Sequence, residues 1–145
     1  MKKLLTALLL ILSVNCYGQF TLKTGVGVGV QVFPDYSYDL YQTTLSVTPE
    51  WRIGDIIAGA VSQTFINDSL TSPYLGTCIS YPVWKQDKKY VIIAGQYLFG
   101  TEGRQLIGGT VGYNNEVIGI DFNASQEYKS KTGFFTLTLN YYVIQ

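Results

Sequence analysis

The sequence predicts an all-β chain folded as an eight-stranded antiparallel up-and-down transmembrane β-barrel. Apolar residues recur in period two about eight times along the chain, the spacing of a strand whose two faces meet different surroundings. The alternate face is small and polar yet almost free of charge. Aromatic residues gather near both ends of the alternating segments, about one strand length apart.

The chain has 145 residues, room for one domain. Residues 1–18 read as a secretory signal. Lys2 and Lys3 form a basic start, an apolar run of about eleven residues follows over 4–14, and Gly18 offers a small residue for cleavage before Gln19. That run is too short to cross a bilayer, which takes roughly twenty residues. An alternative makes Cys16 the lipidated residue of a lipoprotein, although Asn15 stands where such sites want a small residue. The barrel is expected over 19–145.

The first strand is expected over 20–33, where Phe20, Leu22, Val26, Val28, Val30 and Val32 alternate with Thr21, Lys23, Gly25, Gly27, Gly29 and Gln31. A polar, turn-forming stretch over 34–39 leads to the second strand, 40–51. There Tyr41, Thr43, Leu45, Val47 and Trp51 oppose Gln42, Thr44, Ser46, Thr48 and Glu50. A tight turn over 52–55 precedes the third strand, 56–65, whose register the pattern leaves open. A longer loop, 67–73, follows. The fourth strand, 74–84, sets Leu75, Thr77, Ile79, Tyr81 and Val83 against Gly76, Cys78 and Ser80. Pro82 cannot donate a ladder hydrogen bond, which predicts an end or a bulge there. A charged turn at 85–88 leads to the fifth strand, 90–99, and a connection at 100–104 to the sixth, 105–113. Asn114-Asn115 reads as a hairpin turn. The seventh strand, 117–126, alternates Ile118, Ile120, Phe122 and Ala124 with Gly119, Asp121, Asn123 and Ser125. After a loop at 127–132, the eighth strand, 133–144, sets Phe135, Leu137, Leu139, Tyr141 and Val143 against Thr136, Thr138 and Asn140.

Alternation does not by itself say which face points inward. In a soluble sandwich the apolar face is the core; in a membrane barrel it meets lipid. Three features favour the barrel. Mid-strand polar positions are Gly, Thr, Ser, Gln and Asn, with Lys23 and Asp121 the main exceptions, whereas a water-facing surface carries roughly a quarter or more charged residues. Trp51, Trp84, Tyr113 and Tyr141 close the even strands and form a girdle at one rim. Phe33, Tyr36, Tyr38, Tyr41, Phe65, Tyr74, Tyr97, Phe99, Tyr128, Phe134 and Phe135 gather at the other. Two such belts are what lipid headgroup layers favour. Finally, the connections after odd strands are the longer ones, as on the outer side of such barrels.

With these features the chain resembles the small bacterial outer-membrane β-barrel proteins, such as the membrane domain of outer membrane protein A and its short relatives. The resemblance covers about all of 20–145 and rests on pattern rather than on a residue motif. It implies an outer-membrane location in a Gram-negative bacterium and outer-membrane lipid as the surrounding partner. Such proteins usually end in an aromatic residue read by the assembly machinery; this chain ends Tyr141-Tyr142-Val143-Ile144-Gln145.

The chain contains no histidine. That removes the Ser-His-Asp and Cys-His nucleophile systems and most zinc sites. The expectation is no enzyme activity, no cofactor and no metal. No basic stripe is present to attract nucleic acid. Cys78 reads as a small buried residue. Gly25, Gly27 and Gly29 lie inside a strand rather than on a strand–turn–helix, so they read as room for interior side chains from across the barrel, not as a phosphate loop. Lys23, Glu50, Arg52 and Asp121 are candidate interior charges. Lys23 is expected to pair with Glu50, Asp121 or both near the rim of short turns, since a charge in a dry interior must be paired. Asp68-Ser69-Leu70 looks like a short O-glycosylation site in an outer loop, and Asn67-Asp68-Ser69 and Asn123-Ala124-Ser125 match the N-glycosylation pattern, the latter in mid-strand.

The functional expectation is a non-enzymatic barrel with a side-chain-filled interior, acting as a structural or surface-interaction protein through short outer loops. Two alternatives stay open: a secreted or periplasmic β-sandwich or lipocalin-like binding module, and a narrow channel for ions or small solutes.

Overall fold

The computed structural model describes residues 19–67 and 71–144. The leader expected over 1–18, with Cys16, the tripeptide Asp68-Ser69-Leu70 and the terminal Gln145 lie outside the described residues. Eight strands follow one another: β1 (Gln19–Val32), β2 (Tyr38–Ile53), β3 (Ile56–Ile66), β4 (Thr71–Gln86), β5 (Lys89–Gly100), β6 (Gln105–Asn114), β7 (Ile118–Glu127) and β8 (Gly133–Ile144). Each pairs antiparallel with its sequence neighbours, and β1 pairs with β8, so the sheet is a closed up-and-down barrel. The two-sheet sandwich that alternation left open does not form.

Strand ends differ from the expected ones for local reasons. The loop expected over 67–73 is shorter, because β4 already pairs with β3 at Ile66↔Thr71 and Thr64↔Pro73. Pro73 stands one residue beyond the last β4–β5 pair, Tyr74↔Gly100. On that side β4 is an edge, and a missing donor is tolerated. At Pro82 the register shifts between Pro82 and Trp84, a bulge, but the ladder continues to Gln86↔Lys89. The charged turn therefore contracts to residues 87–88, with Asp87 in the left-handed region at φ 52°. Val117, expected to open the seventh strand, belongs to a turn. Asn115 Oδ1 accepts hydrogen bonds from the backbone N–H of Val117 and of Ile118, both at 2.7 Å, a side-chain mimic of a backbone turn.

The apolar face points outward. Val28 is 59% exposed and Leu137 52%, whereas Thr44 and Asn140 on the opposite faces are 0% and 2% exposed. Most of the interior is accordingly polar: Thr48, Gln63, Ser80, Gln96, Thr136 and Thr138 are all buried.

One end of the interior departs from this rule. Val61, Phe65, Tyr74, Cys78, Leu98, Leu106 and Phe134 form a buried apolar cluster. Three of them, Phe65, Tyr74 and Phe134, were expected in the outer aromatic belt. Their height along the barrel matches that belt, but their side chains are on the inner face. In β3 the inward set is Ile57, Gly59, Val61, Gln63 and Phe65. Tyr74 has the opposite parity to exposed Leu75, and Phe134 to exposed Phe135. Among the described residues the outer belt at this end includes Phe99 with the Tyr97 ring against it, Tyr128 and Phe135, with Tyr36 and Tyr38 beyond it.

Glycines set how closely this cluster packs. A Cβ on Gly100 would strike the Tyr74 ring, and one on Gly76 would strike the Tyr97 carbonyl and the Leu98 backbone. Gly25, Gly27 and Gly29 also prevent collisions, but with Asn140, Thr138 and Thr136 of the adjacent β8 and Ser46 of β2, not with side chains from across the barrel as expected.

Replacing Gly76 by Val puts a branched side chain against backbone that cannot give way. The expected loss is at or above the upper end of the ~1–3 kcal/mol typical of overpacking. A urea unfolding midpoint equal to that of the parent chain would show that β4 and β5 separate without cost.

Candidate functional site

The densest polar constellation lies inside the barrel towards the short turns. Lys23 projects inward from β1. Its neighbour across the ladder is Thr48 of β2, so Glu50, two residues on, shares the inner face one step along. Asp121 comes from β7, on the far side of β8, and the length of the lysine side chain spans the gap. Lys23 Nζ stands 3.0 Å from Glu50 Oε1 and 3.2 Å from Asp121 Oδ2, with the three side chains only 10%, 8% and 5% exposed. Arg52, also a candidate, sits with Glu50, Tyr90 and Tyr142 at the mouth below.

The constellation continues through neutral groups. Asn114 Nδ2 donates to Asp121 Oδ1 at 3.4 Å, the Tyr142 hydroxyl donates to Asn114 Oδ1 at 2.9 Å, and the Tyr90 hydroxyl donates to that of Tyr142 at 3.2 Å. Gly112 and Gly119 leave the room: a Cβ on the first would meet the Asp121 carboxylate, and on the second the Asn114 amide. The network thus joins strands β1, β2, β5, β6, β7 and β8. Sequence reasoning missed Asn114, Tyr90 and Tyr142. Asn114 was read as a turn residue, and nothing in the pattern separates an inward tyrosine from a rim tyrosine except parity.

A second ion pair was also missed. Arg104, just before β6, holds Glu127 at the end of β7 with two hydrogen bonds, Nε to Oε1 at 3.2 Å and Nη2 to Oε2 at 2.8 Å. Its guanidinium lies 5.5 Å from the centre of the Tyr74 ring. Both residues were assigned to connections, where charges are ordinarily solvated. The signal that finds them is their placement at the same end of neighbouring strands, with opposite sign.

The girdle residues stand on the outer face. Trp84 and Tyr113 both pair with Val91, which puts them in one row, and Tyr141 pairs with Ile118. All three are exposed. Trp51 is half-buried, its ring 5.3 Å from that of Phe20. Cys78 is a free, buried thiol within the apolar cluster. Asn123 is turned inward and bound to Thr110 and Thr138, so the mid-strand glycosylation pattern is not presented to solvent. Among the described residues no group of three or more His, Cys, Asp or Glu is placed to hold a metal ion.

No protein-family model matches the sequence, and no curated protein matches it. Solved structures do. The crystal structure of Neisserial surface protein A covers 87% of this chain and 97% of its own, at 9% identity and a TM-score of 0.71. A de novo designed transmembrane β-barrel covers 85% of this chain and 95% of its own, at 14% identity and a TM-score of 0.55. At these identities the likeness is one of fold.

Truncating Lys23 to Met leaves two buried carboxylates facing each other. Breaking a buried pair in this way costs about 3–5 kcal/mol, so the urea unfolding midpoint of Lys23→Met is expected to fall well below that of the parent. Adding Glu50→Gln and Asp121→Asn in the same chain should recover much of the loss. An unchanged midpoint in the single variant would mean that water at the mouth solvates each charge separately.

Proposed function

We propose that this chain is a non-enzymatic integral β-barrel of the outer membrane of a Gram-negative bacterium, exported by its leader and serving as a rigid anchor for short surface loops. The observation that carries this reading is the inverted barrel: a largely apolar exterior around an interior that holds Lys23, Glu50 and Asp121. Water is a poor solvent for that exterior, and lipid is a good one. Closure leaves no strand edge open, which is the condition for a sheet to cross hydrocarbon. The fold likeness to a designed transmembrane β-barrel supports the same reading, and the likeness to a Neisserial surface protein supports presentation of the loops outside.

Two of the outer loops are held by hydrogen bonds of their own side chains. In the β1–β2 loop, Asp35 Oδ1 accepts hydrogen bonds from the Ser37 amide at 3.0 Å and the Ser37 hydroxyl at 2.6 Å. These bonds lower the Asp35 carboxyl from its ordinary value by stabilising the carboxylate. Tyr36, at φ 66°, projects from it 89% exposed. In the β7–β8 loop, Lys131 lies over the Tyr128 ring at 4.7 Å. Exposed tyrosines on preorganised turns are efficient contact residues, and these are the side chains offered to an envelope or cell-surface partner.

Refolding in detergent followed by electrophoresis with and without boiling tests the reading. The expected result is a faster-migrating band in the unboiled sample. A single unshifted band, together with folding in plain buffer, would replace this reading with a soluble binding module.

A further inference from the structure

We infer that the apolar cluster, not the ion-pair network, closes the barrel to ions: the interior is a hydrated polar half facing the short turns and a hydrophobic barrier at the loop end. The inference rests on the membrane reading above.

The polar half is built for water. A cavity of about 40 Å³ is lined by Lys23, Thr48, Gln63, Gln96, Asp121 and Asn140, among others, enough for roughly three water molecules. The Asn140 side chain, 2% exposed, lines that cavity, and its Nδ2 donor has no protein partner among the described residues. A buried amide left without a partner is costly, so a site this polar and this roomy takes water. A second cavity of about 40 Å³, lined by Thr21, Glu50, Arg52, Tyr90 and Tyr142, lies towards the short turns. Lys23 and Glu50 stand between the two. They are charged, hydrogen-bonding groups, and an ion passing them exchanges one set of polar partners for another.

The other half is mostly apolar. Leu98 and Leu106 are 0% exposed, and Phe65, Tyr74 and Phe134 are buried with them. The Phe65 ring lies 5.1 Å from Phe134 and 5.6 Å from Tyr74, centre to centre. Five strands contribute to the cluster, and the Arg104–Glu127 pair sits against its Tyr74 side. An ion crossing this layer must shed most of its water against rings and aliphatic chains, with only the Tyr74 and Thr44 hydroxyls and the already paired Arg104 and Glu127 beside it, which is how apolar constrictions block conduction. Cys78 marks the boundary, since it belongs to the cluster and also lines the first cavity.

Planar-bilayer recordings of the parent chain, Lys23→Met and the double variant Leu98→Ser/Leu106→Ser test this, with insertion of each scored by the heat-dependent gel shift. The expected outcome is no current steps from the parent or from Lys23→Met, and discrete openings from the double variant. If the double variant does not fold, Phe134→Ala opens the same layer with a smaller perturbation and is expected to conduct. Steps from the inserted parent, openings from Lys23→Met, or silence from inserted cluster variants would each overturn the inference. Loss of the gel shift in the parent would instead strike the membrane reading itself.

Discussion

Closure of the sheet is the constraint on which the rest of this structure depends. Backbone donors and acceptors are strong, obligatory hydrogen-bonding groups, and an open edge leaves a row of them unmet. Here β1 meets β8 along the ladder from Leu22↔Ile144 to Val32↔Gly133, with one irregularity beside Lys23. Once that seam is made, each strand has two neighbours and two distinct faces, one turned to the surroundings and one to a narrow lumen. A barrel of eight strands is only wide enough for its side chains. Interior residues must therefore satisfy one another or hold a few waters.

That requirement explains the layering. At the loop end the inward positions of β3 to β6 and β8 carry Val61, Phe65, Tyr74, Leu98, Leu106 and Phe134, which fill space with the Tyr74 hydroxyl as their one polar atom. Gly76 and Gly100 allow this packing by keeping Cβ atoms away from Leu98 and Tyr74. Towards the short turns the same lumen carries a lysine and two carboxylates. Each charge is costly on its own in such a place, and each is met: Lys23 by both acids, Asp121 also by Asn114, and Asn114 by Tyr142. The hydrogen bonds ramify because each acceptor brought inside needs a donor, and the nearest donors are on other strands.

The site was legible to different depths at different residues. Lys23, Glu50 and Asp121 stood out because a charge on the polar face of an alternating strand has few places to go. Their spacing from strand starts placed them at one level. Tyr90, Tyr142 and Asn114 did not stand out, because a tyrosine or asparagine is equally at home at a headgroup rim, in a turn or in a lumen. Phe65, Tyr74 and Phe134 were placed at the correct height and on the wrong face. In β3 small residues occupy the outward positions Ala58, Ala60 and Ser62, so the usual contrast between faces is weak, and the parity of Phe65 is obscured. Tyr74 and Phe134 each have an exposed apolar neighbour in sequence, which hides the one that turns inward.

Period-two alternation, punctuated by Gly, Pro, Asn and Asp, was enough on its own to determine the number of strands and their order. A strand's two faces are a local property, and short hairpin turns join only adjacent antiparallel strands. The scarcity of mid-strand charge also set the direction of the apolar face. What the tertiary structure alone decided was which residues meet across the lumen. Lys23 and Asp121 are separated by 98 positions, and their contact depends on the stagger accumulated around the closed sheet, to which every bulge and turn contributes. The division of the interior into a mostly apolar loop end, edged by the Arg104–Glu127 pair, and the end that holds Lys23, Glu50 and Asp121 arises in the same way, since each strand supplies only a few inward side chains and only closure brings them to a common level.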